Sequence, residues 1–269
     1  MTGKIKPYHI TDLFNARIFL LVCLLFVAVR GRSQDTVLPA ISADRPGMAT
    51  SPGIVLPYKF QIETGSGFEH FRNAASFHEQ GMYNSSLFRF GINSFSEIRL
   101  QTDLVGIKTD SLQYAGFNPV TVGSKILISG SKGILPDVSL LVNLTLPWFG
   151  EKHLKPSNFA PSLYLLMGND LSEHFNLCYN FGMEWDGESA ISAEFVAVCL
   201  TASVNQRFSG FIESYDYFAR YQTPQFMADC GCAYLLRNNL QLDISAGTDF
   251  NNLRSYFIID AGVSWRIPR

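Results

Sequence analysis

The chain has 269 residues, 47% of them apolar and 13% aromatic, with only 16% charged and a formal net charge of −2. A disordered chain needs high charge and few aromatics, and nucleic-acid binding needs a basic cluster that a pI near 6.2 does not offer. The longest clean apolar run spans 18–29, short of the roughly 20 residues that a spanning helix requires.

That run sits where an export signal belongs. Lys4, Lys6 and Arg17 precede it, and Gly31 and Ser33 are small residues at −3 and −1 to a cut before Gln34. Residues 1–33 therefore read as a cleaved signal peptide. An N-terminal anchor is the alternative, with Arg30 and Arg32 directly after the run. Cys23 lies inside the run without the small residue before it that lipidation would need. Beyond residue 33 the chain carries 16 bases and 22 acids, net −6, and four cysteines, Cys178, Cys199, Cys230 and Cys232. Their spacing is not a zinc signature. They read as small apolar fillers, with Cys230 and Cys232 on one face of a strand.

Residues 34–57 carry Pro39, Pro46, Pro52 and Pro57 and show no periodicity, which predicts an irregular entry segment. From Tyr58 onward period-2 alternation dominates, the signature of strands. The first run, 58–71, sets Phe60, Ile62 and Phe68 against Lys59, Gln61, Glu63 and Glu69. The second, 83–92, opposes Phe88, Phe90 and Ile92 to Arg89 and Gly91. The third, 95–105, alternates Ile98, Leu100 and Leu104 with Glu97, Arg99, Gln101 and Asp103. Runs at 120–129, which holds Lys125, at 138–146 and at 161–167 follow. In 174–185, Phe175, Leu177, Tyr179, Phe181, Met183 and Trp185 oppose Asn176, Cys178, Asn180, Gly182 and Glu184. The runs 190–201 and 207–217 are noisier. Those at 226–236, 240–247 (with Asp243) and 256–267 complete the set, the last alternating Phe257, Ile259, Val263 and Trp265 with Asp260, Gly262, Ser264 and Arg266.

Twelve strands is an even count, and the connections differ in kind. Those after the second, sixth, eighth and tenth runs are short and hold Asn93, Asn169, Asn205 and Asn238. Several others are long: 72–82, 106–119, 147–160 and 218–225. Short turns at one end and long loops at the other describe a transmembrane barrel with both chain ends on the short-turn, periplasmic side. A soluble sandwich also alternates, but its polar face meets bulk water and is rich in Lys and Glu. Here the polar face is sparing with charge, mixes both signs and is rich in Gly, Ser, Asn and Gln, as suits a lumen. The apolar face of the clear strands is nearly free of charge, and an Arg or Lys facing mid-membrane lipid costs about 2–4 kcal/mol. The sequence thus predicts an all-β fold: a single antiparallel transmembrane β-barrel of about 12 strands over 58–269, after a signal peptide at 1–33 and an irregular periplasmic segment at 34–57. Phe60, Phe88, Tyr179, Phe181, Trp185, Phe257 and Trp265 are its candidate aromatic girdles.

Residues 43–52 read A-D-R-P-G-M-A-T-S-P, and the first strand begins F-Q-I-E-T-G. With L-L-R-N-N-L-Q-L-D at 235–243 and Y-F-I-I-D-A-G-V-S-W-R-I at the end, the chain resembles the outer-membrane, transporter-like family described as "putative MetA-pathway of phenol degradation". The likeness covers most of 43–267. The D-R-P…S-P element is its specific part, since any barrel alternates. The chain departs from many such barrels by continuing to Pro268 and Arg269 instead of ending on an aromatic residue. The resemblance implies uptake of aromatic or other small molecules across the outer membrane.

No nucleotide-binding, hydrolase or metalloprotease motif is present in the sequence, so no enzyme activity, cofactor or metal is assigned. His70 and His78, with Glu69 and Glu79, read as a solvated loop. An outer-membrane lipase would need a Ser and a His side by side on the outer face, and the sequence reading places His70 inside. The candidate lumen-lining residues are Lys59, Glu63, Arg89, Glu97, Arg99, Lys125, Glu184, Asp243, Asp260 and Arg266. Asp44, Arg45 and Pro46 are the candidate anchor of the periplasmic segment, because a proline-fixed backbone beside an ion pair suits a docked element better than a loose tail. The function that follows is passive passage of small, polar or amphipathic molecules through a porin-like lumen. A purely structural or surface-interaction barrel is the runner-up. The partners are outer-membrane lipid, the solute, and the barrel-assembly machinery of a Gram-negative cell, with no nucleic acid.

Overall fold

The computed structural model describes residues 38–72, 78–131, 134–220, 224, 226–250 and 256–267. The signal-peptide reading and the last two residues lie outside them. No helix occurs among the described residues. The strands are β1 (Phe60–Arg72), β2 (His78–Asn93), β3 (Ser96–Thr109), β4 (Gln113–Phe117), β5 (Thr121–Ser129), β6 (Asp137–Thr145), β7 (Ala160–Asp170), β8 (Phe175–Glu184), β9 (Ala193–Ser203), β10 (Phe208–Ala219), β11 (Met227–Arg237), β12 (Leu240–Asp249) and β13 (Tyr256–Arg266).

All pairings are antiparallel between sheet neighbours, and β13 pairs back onto β1, with Gly65 opposite Gly262, so the sheet closes and has no edge. β4 and β5 both pair with β3, β4 through Leu104 opposite Phe117 and β5 through Gln101 opposite Thr121. They form one stave interrupted at 118–120, and the barrel has twelve staves. The connection expected at 106–119 is therefore mostly strand, with its tip at 110–112. β3 continues past Leu104 into residues such as the exposed Lys108, beyond the stretch in which the outward face must be apolar, so alternation in hydrophobicity stops before the strand does.

The short turns are closed by side chains. Asn93 Oδ1 accepts from the Phe95 N–H at 2.9 Å and the Ser96 hydroxyl at 3.0 Å. Asn205 Oδ1 accepts from the N–H groups of Arg207 and Phe208. Such Asx turns explain why asparagine punctuates this end. Asn169 differs from expectation: it lies within β7, and Ser172 closes that turn by accepting from His174 and Phe175.

The solvent-facing and core-facing roles of a soluble protein are inverted. Ile98, Leu100, Ile126, Leu165, Phe181, Val198, Ile244 and Phe257 are exposed on the outer wall, a band that lipid covers. Gln61, Glu63, Arg89, Glu97, Lys125, Ser139, Asn180 and Ser264 face inward at 1% exposure or less. Phe60 stacks on Phe88 near the short-turn end of the outer wall. His70 shares the outward face with Phe68, and its ring lies 6.0 Å from that of His78. This corrects the expected inward position: the register of β1 against β2 and β13 runs without a bulge, so His70 must oppose the inward Glu69. Cys178 and Cys199 are cross-strand partners on the inward face and are free thiols, as are Cys230 and Cys232.

Candidate functional site

Four prolines keep residues 38–57 out of any ladder, since a proline has no N–H to donate and a fixed φ. The backbone polar groups of this segment still need partners, and the barrel's inward side chains provide them. The N–H groups of Asp44 and Arg45 donate to Glu63 Oε2. Those of Met48 and Ala49 donate to the two oxygens of Glu213, both at 2.6 Å. Thr50 N–H reaches Asn180 Oδ1 at 2.7 Å, and Val55 N–H reaches Glu97 Oε2 at 2.7 Å. The carbonyls are matched in the same way: Pro39 accepts from Arg266, Ser42 from Gln61 and Arg89, Arg45 from Gln241, Ser51 from Lys125, Pro52 from Ser139, and Gly53 from Arg89 and Lys125.

The order of these contacts traces the path. The segment leaves the short-turn end beside Asn238, whose side chain donates to the Leu38 carbonyl. It turns at Gly47, where φ is +97° and Glu213 and Phe211 press close, a backbone conformation that favours glycine. It then crosses β8, β6 and β3 and returns to the head of β1. Glu213 lies five residues above the start of β10 and Asn180 five above the start of β8. The segment therefore runs inside the lumen and not, as the sequence predicts, on the periplasmic side of the barrel.

Asp44 is the hub. Its carboxylate lies 2.5 Å from Arg99 Nη1, 2.9 Å from Lys125 Nζ and 3.3 Å from Arg89 Nη1. Arg89 is also held by Glu63 at 2.7 Å and Glu97 at 2.9 Å. Three carboxylates and three cations thus form one buried network, four of whose side chains have no exposure and the other two 6% and 8%. Burial pushes the Asp44 carboxyl up, but the charges of Arg89, Lys125 and Arg99 outweigh it and hold the group well below the usual carboxylate range. Beside it, Arg45 pairs with Asp243 at 2.9 Å and with Asp260. Burial works against the Arg45 charge, and the two carboxylates more than compensate, raising its pKa. The guanidinium fits because Gly65 and its partner Gly262 have no Cβ; one added at either would collide with it.

Of the residues selected from sequence, Glu63, Arg89, Glu97, Arg99, Lys125, Asp243 and Asp260 meet at this level, together with Asp44 and Arg45, while Arg266 lies lower and donates to the Pro39 and Asn238 carbonyls. Pro46 follows through a cis peptide bond. Lys59 lies apart at the head of β1, where its backbone bonds to Leu56 and Gly91. Glu184 lies higher, accepting from the Tyr164 hydroxyl at 2.5 Å. Gln61, Ser139, Asn180, Glu213 and Gln241 were not singled out, and their signal was available: inward polar positions in strands too dry to be solvated.

Above the segment is a cavity of about 270 Å³ lined by Met48, Thr50, Arg99, Gln101, Leu141, Asn143, Tyr164, Asn180, Glu184, Phe195 and Tyr217. Its apolar wall comes from the strands with the weakest alternation. Phe195, Ala197, Tyr215 and Met227 form a buried cluster with Ala49, Tyr164 and Tyr256 packed against it. The lumen therefore has an aromatic side that the clearly alternating strands do not reveal. A larger hollow, about 470 Å³ between Phe159, Leu163 and Trp185, includes the outward-facing Leu163 and is not part of the lumen. Among the described residues no group of three or more His, Cys, Asp or Glu is placed to hold a metal ion.

The model of the family described as "Putative MetA-pathway of phenol degradation" matches residues 43–267. No curated protein matches the chain. Among solved structures, the COG4313 outer membrane channel from Pseudomonas putida F1 is similar with a TM-score of 0.62 at 11% identity, covering 80% of this chain and 97% of that one. The KdgM porin in complex with disordered oligogalacturonate aligns with a TM-score of 0.53 at 9% identity, covering 76% and 99%. At these identities the likeness is one of fold: the barrel of outer-membrane channels.

Proposed function

The chain belongs to that family, and on this premise we propose that it is a passive outer-membrane channel for small solutes, closed at rest by residues 38–57. The single observation that carries the reading is how the segment is held. Apart from a backbone bond from Ile41 to the Asn238 carbonyl and the bonds at its junction with β1, the segment is tied to the wall by side-chain hydrogen bonds and ion pairs with no covalent cross-link, so the closure is reversible without unfolding a strand. The cavity above it gives a solute a place to wait. The outward apolar band meets lipid, and the barrel-assembly machinery inserts it. Charges of the network set selectivity when the segment withdraws, because they then line the opened bore. No catalytic role is assigned to any residue.

The experiment is conductance and flux. In planar bilayers the full chain should show rare, brief openings, and a protein lacking residues 38–57 should conduct steadily. Liposome swelling with a neutral sugar, an aromatic acid and a fatty acid then sorts the solutes. Silence of the shortened protein in both assays, with its barrel intact, would favour the purely structural reading.

A further inference from the structure

The inward charges of the barrel are segregated by height. The basic side chains that the strands turn inward within their paired lengths, Arg89, Arg99, Lys125 and Arg266, all lie at or below the level of the segment and are tied to carboxylates or carbonyls there. Above it, the charged inward positions among the described residues are Glu69, Glu79, Asp103, Glu184 and Asp249. Among the described residues, the cations of the outer loops, Lys152, Lys155 and Arg220, lie beyond the strand ends. Carboxylates of one sign on the wall of a narrow, low-dielectric tube focus their field along it and concentrate cations.

The cavity adds shape to this field. Phe195 is the centre of an aromatic wall: its ring lies 5.0 Å from that of Tyr217 and meets Tyr164 edge-on at 5.8 Å. Tyr217 is still 37% exposed, toward the cavity it lines. Glu184 sits at the same wall, bonded to the Tyr164 hydroxyl. Gln101, Asn143 and Asn180 line the cavity with amide groups. Arg99 forms part of the floor, but its side chain is 8% exposed and its charge is spent on Asp44 and Glu97. A volume of about 270 Å³ lies just under the usual range of ligand pockets, roughly 300–1,000 Å³, and so suits a small molecule.

We propose that this cavity is a binding site for small aromatic amines in their protonated form, the ring lying against Phe195 and Tyr217 and the ammonium group on Glu184. An aromatic face attracts a cation through its quadrupole, so the wall and the carboxylate favour the same end of the ligand. A carboxylate or phosphate ligand meets the opposite: acids along its approach and a guanidinium already neutralised. The inference rests on the channel reading above for its biological meaning, but binding is measured separately from passage.

The test uses the full chain in detergent and three near-isosteric probes: phenethylamine, 2-phenylethanol and phenylacetate. Calorimetric titration should find phenethylamine bound at least tenfold more tightly than 2-phenylethanol, with phenylacetate weakest. Glu184→Gln should remove the preference for the amine, and Tyr217→Leu should weaken phenethylamine about tenfold while Tyr217→Phe does not. If Glu184→Gln fails to insert, the two Tyr217 variants carry the test. Equal affinity for the three probes, tighter binding of phenylacetate, or no binding of phenethylamine overturns the proposal. Liposome flux is read in parallel. Preferential binding without flux supports the site and counts against the channel, whereas flux of all three at one rate without preferential binding removes the site and keeps the channel.

Discussion

Asp44→Asn is the sharpest perturbation the lumen offers. Asparagine keeps the shape and one carbonyl oxygen but removes the charge that Arg89, Arg99 and Lys125 share, and these three side chains have 0%, 8% and 0% exposure. Removing one partner from a buried ionic cluster costs about 3–5 kcal/mol, because the others remain buried without compensation. The strands keep their ladders, so the cost falls on docking of the segment. At about 1.4 kcal/mol per tenfold, the undocked population rises by roughly two to three and a half orders of magnitude. Single-channel recording should show open probability climbing accordingly, and a broad-specificity protease should cut within 38–57 while leaving the barrel intact. Adding Lys125→Met to Asp44→Asn removes one orphaned cation and should recover part of the loss. Acid acts on the same group. Its pKa in the folded protein is lowered from 3.8, so its contribution is complete above about pH 4 and is lost as pH falls through the depressed value. Opening by acid should therefore set in as pH falls below about 4 and deepen down to the depressed value. Unchanged open probability and unchanged protease resistance in Asp44→Asn would refute the idea that this hub holds the segment.

Gly262→Val changes no charge, yet its side chain would occupy the place of the Arg45 guanidinium; it should open the channel much as Arg45→Ala does, whereas Gly210→Ala, where an added Cβ meets only the Gly231 carbonyl at 3.6 Å, should leave conductance unchanged. The Cys178 thiol donates to the Thr50 carbonyl at 3.2 Å, so a charged maleimide should label it slowly in the intact protein and at least tenfold faster once residues 38–57 are removed, as read by mass spectrometry. Ile244→Arg places a cation on the lipid face, where Ile244 is 47% exposed; it should destabilise the barrel by about 2–4 kcal/mol in urea titration from vesicles, with no effect on open probability in the barrels that do insert.

The barrel was legible because lipid imposes a binary rule. In β3, β8 and β13 every second residue must be apolar, and a one-residue slip would turn the whole set inward. Where that rule lapses, so does the reading. β4 was missed because it pairs beyond the point at which outward residues must be apolar, and the exposed Lys108 on its partner strand marks that point. β9 and β10 looked noisy because Phe195, Tyr215 and Tyr217 put rings on the inward face, which erases the contrast between faces. Alternation also says which wall a residue faces but not how high it stands. The separation of bases below from acids above therefore could not be seen in a list of inward charges, although every residue in that list was known.

The segment was the harder part, and the reason is instructive about barrels with dry interiors. Glu63, Glu97, Asn180 and Glu213 are almost wholly buried, and an acceptor in that position needs a donor close at hand, since leaving it unmade costs about 1–3 kcal/mol or more for a charged group. The neighbouring strands cannot supply enough, because their backbone N–H groups are committed to the ladder. A length of chain with free N–H groups can, and residues 38–57 are such a length: too proline-rich to spend their donors on a helix or strand. The excess of inward acceptors and the surplus of unspent backbone donors are two halves of one fact, each visible in sequence alone. Joined, they require that the segment lie inside the wall it precedes. The D-R-P-G element is where the joint is tightest, with Asp44 serving the cations of β2, β3 and β5 and Arg45 serving the acids of β12 and β13. Neighbouring residues of opposite charge thus tie the strands on the two flanks of β1, which a single salt bridge between them would not achieve.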